Sequence, residues 1–156
     1  MKNKGQIIAL DIYEWKLAEL RRRAKRAGAH NIETRLISDN KVIKRLHEKA
    51  DRLLIDAPCS GLGVLKRNPD SKWKIDQDFI DRIKGEQQQI LQDYSKILKK
   101  GGQMIYATCS ILPSENNEQV QLFLKNNPDF SLIKDEKIMP SEGYDGFYMA
   151  LIKRNA

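Results

Sequence analysis

Leu53-Leu54-Ile55-Asp56-Ala57-Pro58-Cys59-Ser60-Gly61 and Met104-Ile105-Tyr106-Ala107-Thr108-Cys109-Ser110 follow one plan. Each is an apolar, β-prone run that gives way to a turn of small residues carrying a cysteine, and these are the only two cysteines in the chain. In open parallel α/β sheets, ligands and catalytic groups gather just outside the carboxyl ends of the strands. The first run also places an acid and a proline-fixed backbone ahead of its thiol. Two thiols and a carboxyl group converging on that edge predict covalent chemistry on an electrophilic ring.

Outward from these runs, the chain alternates strand and helix patterns. Residues 6–10 are a short apolar run closed by Asp11, a buried strand. Residues 14–27 carry Leu17, Leu20, Ala24 and Ala27 on one stripe and arginines on the other, with Gly28 at the helix C′ position. Residues 32–37 alternate as a strand and end at Ser38-Asp39-Asn40, before a short helix near 42–48. After the strand at 51–55, residues 61–74 have no clean period and read as a loop over the site. A long amphipathic helix through Phe79, Ile83, Gln87, Leu91 and Leu98 is expected to stop at Lys99-Lys100-Gly101-Gly102. A strand at 103–107 follows, then a helix capped by Ser114 and ended by Pro128. Two last strands near 130–133 and 146–152 suit an antiparallel edge pair. This order predicts an α/β fold: a Rossmann-like, doubly wound, mainly parallel sheet in one domain over residues 1–156.

The formal net charge is +7, distributed as +7 over residues 1–50, +2 over 51–100 and −2 over the remainder. The basic excess is densest at Arg21-Arg22-Arg23-Ala24-Lys25-Arg26, where it suits either a polyanion or a solvated helix face. Two cysteines fifty residues apart form neither a metal pattern nor a disulfide framework, and they lack the Cys-x-x-Cys spacing of a thiol redox enzyme. Lys2 and Lys4 precede an apolar run that Asp11 ends far short of a signal or membrane segment. A cytoplasmic protein with reduced thiols and no membrane partner is expected.

Asp-Ala-Pro-Cys-Ser-Gly at 56–61 followed by Ala-Thr-Cys-Ser at 107–110 resembles the RNA cytosine carbon-5 methyltransferases, in particular their Sun (Fmu) branch acting on small-subunit ribosomal RNA. Lys66-Arg67-Asn68-Pro69-Asp70-Ser71-Lys72-Trp73, Leu112-Pro113-Ser114-Glu115-Asn116 and Asp145-Gly146-Phe147-Tyr148 fit the same branch. The resemblance runs through essentially the whole chain. It implies an S-adenosylmethionine-dependent fold whose first strand ends in a glycine-rich loop around the cofactor's methionine end. None of the nine glycines forms such a turn ahead of Asp11, so the chain is expected to begin at the family's second strand, without the first strand, its loop or an N-terminal RNA-binding region. In that fold the first strand lies between those at 6–10 and 51–55. These two are therefore expected to pair directly, or to borrow a strand through self-association.

The resemblance implies that Cys109 is the nucleophile, that Cys59 assists elimination and product release, and that Asp56 lies near the cytosine edge and the transferring methyl. Swapped thiol roles stay open, because DNA cytosine methyltransferases attack with a Pro-Cys thiol. Asp11 at a strand end suits the ribose hydroxyls of S-adenosylmethionine, and Asp39 its adenine; turn or cap roles are the structural alternative for both. Lys66, Arg67 and Lys72 are expected to meet RNA phosphates, with Trp73 anchoring the loop or, as the alternative, stacking on a base, and Trp15 packing its helix. A non-catalytic RNA-binding module built on the basic first third is the competing function.

Overall fold

The computed structural model describes residues 1–156, which form two compact units, residues 1–46 and 47–156. The first holds β1 (Ile7–Asp11), α1 (Glu14–Arg26), β2 (Ile32–Leu36) and α2 (Asn40–Lys44). β1 and β2 pair in parallel along their whole length, from Ile7 opposite Ile32 to Asp11 opposite Leu36. The stripe on α1 turns Leu17 inward, and Gly28 takes a left-handed φ of 64° just past the helix. Only glycine adopts that conformation without steric cost.

The second unit contains β3 (Ala50–Asp56), α3 (Gln77–Tyr94), β4 (Leu98–Thr108), α4 (Asn117–Asn126), β5 (Phe130–Ile138) and β6 (Phe147–Arg154). Its sheet order is β3-β4-β6-β5, with β3 and β4 parallel and the last two strands antiparallel to their neighbours. Period-two alternation puts Ile55, Met104, Tyr106, Tyr148, Ala150 and Ile152 on the face that meets Leu91, Val120 and Phe123 from the helices. Phe123 also meets Phe130 edge-on at 5.1 Å between ring centroids. Each such side chain contributes roughly 1.5–3 kcal/mol by leaving water. No helix is long and apolar enough to cross a membrane.

Three local expectations are corrected. α3 ends at Tyr94 and one 3-10 turn leads into β4 at Leu98, so Lys99-Lys100-Gly101-Gly102 is bulged strand rather than a helix end. Leu98 is fully buried, Lys99 reaches Asp51 at 2.8 Å, and Gly101 takes a φ of 76° that lets the ladder shift register. Ser114 does not cap α4: a 3-10 turn over Pro113–Glu115 precedes it and Asn116 is its N-cap, because Glu115 is drawn into the interior. The loop at 61–74 is likewise ordered into two 3-10 turns, Leu62–Val64 and Pro69–Trp73.

The expected direct pairing of residues 6–10 with residues 51–55 is also corrected. Every partner of β1 lies on β2 and every partner of β3 lies on β4, so residues 6–10 and 51–55 do not pair directly. β3 is an edge strand of its sheet and exposes Leu54 along with Asp51, Arg52 and Asp56.

The turn after Cys59 depends on Gly63. A Cβ on Gly63 would lie 2.1 Å from the Gly146 carbonyl oxygen and 2.7 Å from that of Cys109. Gly63→Ala should therefore lower stability by about 2 kcal/mol or more. Gly85→Ala, on the exposed face of α3 with nothing within 4 Å of its Cβ, should raise it by roughly 0.4–1 kcal/mol. Urea denaturation of both variants checks the pair.

Candidate active site

β3 and β4 are neighbours in register, Asp56 opposite Ala107, so the turns that follow them emerge side by side. The Ala57 N–H donates to the Ala107 carbonyl at 2.9 Å and extends the ladder one step beyond Asp56. Pro58 then turns the chain, and the Cys59 and Cys109 sulfurs meet at 3.2 Å, both half-buried. Gly61, at a φ of 71°, reverses the backbone so that the Gly63 N–H reaches the Cys109 carbonyl at 2.9 Å. The Gly146 N–H in turn donates to the Gly63 carbonyl at 2.7 Å. Three turns distant in sequence are thus stitched around the sulfur pair.

Beneath the sulfurs lies a polar network centred on Glu115, which is completely buried. Its Oε1 accepts from the Ser60 N–H at 2.7 Å and from Gln87 Nε2 at 3.2 Å. Its Oε2 accepts from the Ser60 hydroxyl at 2.5 Å and from the Ser110 hydroxyl. Ser60 and Ser110 directly follow the two cysteines, so one carboxylate fastens both thiol turns. Gln87 also donates to the Pro58 carbonyl at 2.8 Å, and Tyr106 donates its hydroxyl to the Glu115 carbonyl at 2.8 Å. Thr108 donates to Asn116 Oδ1 at 2.5 Å, while Asn116 Nδ2 donates to the Ser110 carbonyl at 2.9 Å. A buried carboxylate with no cation in contact is tolerable only when its lone pairs are filled in this way.

The two thiols are electrostatically unequal. A hydrogen bond from the Cys59 thiol lowers Cys109 to about 7, against burial and the Asp56 charge, which oppose its ionisation. The bond to Cys109 pushes Cys59 upward, and burial adds to it. Of the two thiols, Cys109 is therefore the one that ionises toward neutral pH, and the thiolate is the form that reacts.

The other expected residues are placed as follows. Asp56 stands exposed at the end of β3, within electrostatic range of Cys109. Asp11 closes β1, accepting from the Tyr13 N–H at 2.8 Å with Lys16 at 3.7 Å from its other oxygen. Asp39 caps α2, accepting from the Lys41 N–H at 2.8 Å. Lys66 is exposed; Arg67 is exposed but pairs with Asp145 at 2.8 Å; and Lys72 lies 4.7 Å from the ring centre of Trp73. Trp73 is 80% exposed and does not anchor the loop, and Trp15 is exposed beside Tyr13 rather than packed. Both rings instead sit under lysine ammonium groups, which an exposed indole can hold.

The arginine run on α1 is partly paired on its own helix. Arg21 meets Glu14 at 2.5 Å, and Arg22 and Arg23 meet Glu19 at 2.5 and 2.7 Å. Three of its five cations thus share two carboxylates, and the run stays net basic. The residues that sequence reasoning missed are Glu115, Ser60, Ser110, Gln87 and Asn116. One signal was available: Gln87 is a polar residue in the apolar stripe of α3, a position that demands a buried partner.

Glu115→Ala would orphan the Ser60 and Ser110 donors at once. It should cost about 3 kcal/mol or more, roughly 6–12 °C in Tm for a chain of this size, with Glu115→Gln losing less. Iodoacetamide should alkylate Cys109 with a rate half-maximal near pH 7. In Cys59→Ala the donor that favours the thiolate is gone, so the midpoint should move to higher pH and the rate at pH 7 should fall.

The family model described as 16S rRNA methyltransferase RsmB/F matches residues 1–153. Among curated proteins, the probable ribosomal RNA small subunit methyltransferase B of Bacillus subtilis is 34% identical over 99% of this chain and 39% of its own length. Ribosomal RNA small subunit methyltransferase B of Proteus mirabilis is 36% identical over 97% of this chain and 36% of its own length. The chain thus spans less than two fifths of these relatives. Among solved structures, NSun6 from Pyrococcus horikoshii with SFG superposes with a TM-score of 0.86 at 26% identity, covering 99% of this chain and 42% of that one. The chain belongs to the 16S rRNA methyltransferase RsmB/F family, and its α/β architecture is the Rossmann-like one of the S-adenosylmethionine-dependent methyltransferases.

Proposed function

We propose that this chain is a catalytic portion of an enzyme that methylates carbon 5 of a cytosine in small-subunit ribosomal RNA, through a covalent adduct on Cys109. The observation that carries this reading is the 3.2 Å contact between two sulfurs at the ends of adjacent parallel strands, with the ionised partner being Cys109. Carbon 5 of cytosine is a poor nucleophile. Addition of the Cys109 thiolate at carbon 6 pushes electrons toward carbon 5 and makes it reactive, splitting a hard step into easier ones. The Asp56 carboxyl group, exposed near the pair, would in its protonated form donate to ring N3 and so offset the negative charge that addition brings there.

The role of Cys59 follows from the same pair. While Cys109 is a thiolate, its charge and hydrogen bond hold the Cys59 proton in place. Once the Cys109 sulfur is bonded to carbon, that acceptor is lost and Cys59 ionises more readily, releasing its proton to water. It can then take the proton from carbon 5. The released electron pair restores the ring double bond, and the bond to Cys109 breaks to give back a thiolate.

S-adenosylmethionine supplies the electrophilic sulfonium methyl that carbon 5 takes. The donor set fits the group in part. Asp11 and Asp39 are carboxylates at the ends of β1 and β2, suited to ribose hydroxyls and an adenine amino group. No glycine-rich turn of this chain cradles the methionine end. Lys66 and Lys72 are exposed cations for RNA phosphates, and Arg67 would exchange Asp145 for one. Trp73, exposed beside Lys72, offers a ring on which an unpaired base stacks.

The test is a denaturant-resistant band between the chain and cytosine-containing RNA on a gel. The band should accumulate in Cys59→Ala, where release is blocked, and be absent in Cys109→Ala. The reverse pattern would reassign the nucleophile, and salt-sensitive binding unaffected by either substitution would favour a non-catalytic RNA-binding module.

A further inference from the structure

The sulfur pair carries a second consequence that does not depend on RNA or methyl transfer. Cys59 and Cys109 lie 3.2 Å apart, and a disulfide needs about 2.05 Å, so bond formation asks each sulfur to move by roughly half an ångström. The turns that hold them are fixed relative to one another: Glu115 binds Ser60 and Ser110, and Gly63 binds the Cys109 carbonyl. Both sulfurs are only half-buried, which leaves them open to a small oxidant. No third cysteine competes for either.

We propose that Cys59 and Cys109 form a reversible intramolecular disulfide when the chain meets a peroxide, making the pair an oxidative modification site that switches both thiols off together. The Cys109 sulfur attacks a peroxide oxygen and the O–O bond breaks. The far oxygen leaves as an alkoxide or, from hydrogen peroxide, as hydroxide, which takes a proton from solvent to become an alcohol or water, and a sulfenic acid forms on Cys109. The Cys59 sulfur then attacks that sulfur, the S–O bond breaks, and the departing hydroxide takes the Cys59 proton as water. Two thiols are oxidised by two electrons and one peroxide is reduced. The ionised state of Cys109 near neutrality makes it the attacking sulfur, and protonated Cys59 is the resolving one. Because Cys59 sits in contact, resolution outruns further oxidation of the sulfenic acid. A dithiol reductant reopens the bond and returns both thiols.

The experiment treats the full chain at low micromolar concentration with hydrogen peroxide and reads the intact mass and the count of thiols that react with a maleimide. The expected result is a loss of about 2 Da, a fall from two reactive thiols to none, and full recovery with dithiothreitol. Non-reducing tryptic digestion should then join the peptide holding Cys59 to the peptide holding Cys109. In Cys59→Ser the resolving thiol is gone, and Cys109 should instead gain oxygen that dithiothreitol does not fully remove. A wild-type chain that gains about 32 Da at Cys109 with Cys59 still reactive would overturn the proposal. So would covalent dimers in place of the internal cross-link, or thiols that peroxide leaves untouched.

Discussion

The active end of this chain depends on one buried carboxylate. Glu115 sits within the protein with no cation in contact, and its cost is offset only because Ser60, Ser110 and Gln87 all direct donors at it. Those donors are the residues next to the two cysteines and a core position of α3. Satisfying the carboxylate therefore also sets the distance between the sulfurs. The same requirement shapes α4, whose start is displaced beyond Glu115 because that side chain must point inward.

The sulfur contact, in turn, makes two identical groups unequal. Two thiols this close cannot both ionise cheaply, so one proton is shared across the pair and the charge settles on the more exposed partner. Asp56 and burial both act against that charge, and the hydrogen bond from Cys59 outweighs them. On the proposed function, nucleophilic attack and return of the proton become sequential duties of one pair. Oxidation draws on the same proximity. A geometry that serves ring chemistry is, for the same reason, one step from a disulfide.

Much of the fold could be read from local pattern. The β3 and β4 runs, the α1 stripe with Gly28 behind it, and the antiparallel β5–β6 edge all follow from periodicity and turn chemistry. Failures came where tertiary contacts overrode local signals. Lys99-Lys100-Gly101-Gly102 has the composition of a helix end, yet Leu98 is claimed by the core and Gly101 permits the bulge that keeps the strand going. Trp73 and Trp15 are large and apolar and so were expected inside, but each stands exposed beside a lysine. Asp39 could serve a cap or a cofactor, and locally it serves the cap.

The order of strands and helices, the two cysteines at strand ends and the family they indicate were determined by the sequence alone. Each is encoded within a few consecutive residues, through alternation, turn formers and motif spacing. Which thiol carries the charge, and that Glu115 and Gln87 matter to it, was decided only in three dimensions. Those properties arise from contacts between residues 28 to 55 positions apart. They require a closed, water-poor setting in which an unmade hydrogen bond is costly, and only the assembled sheet and helices create it.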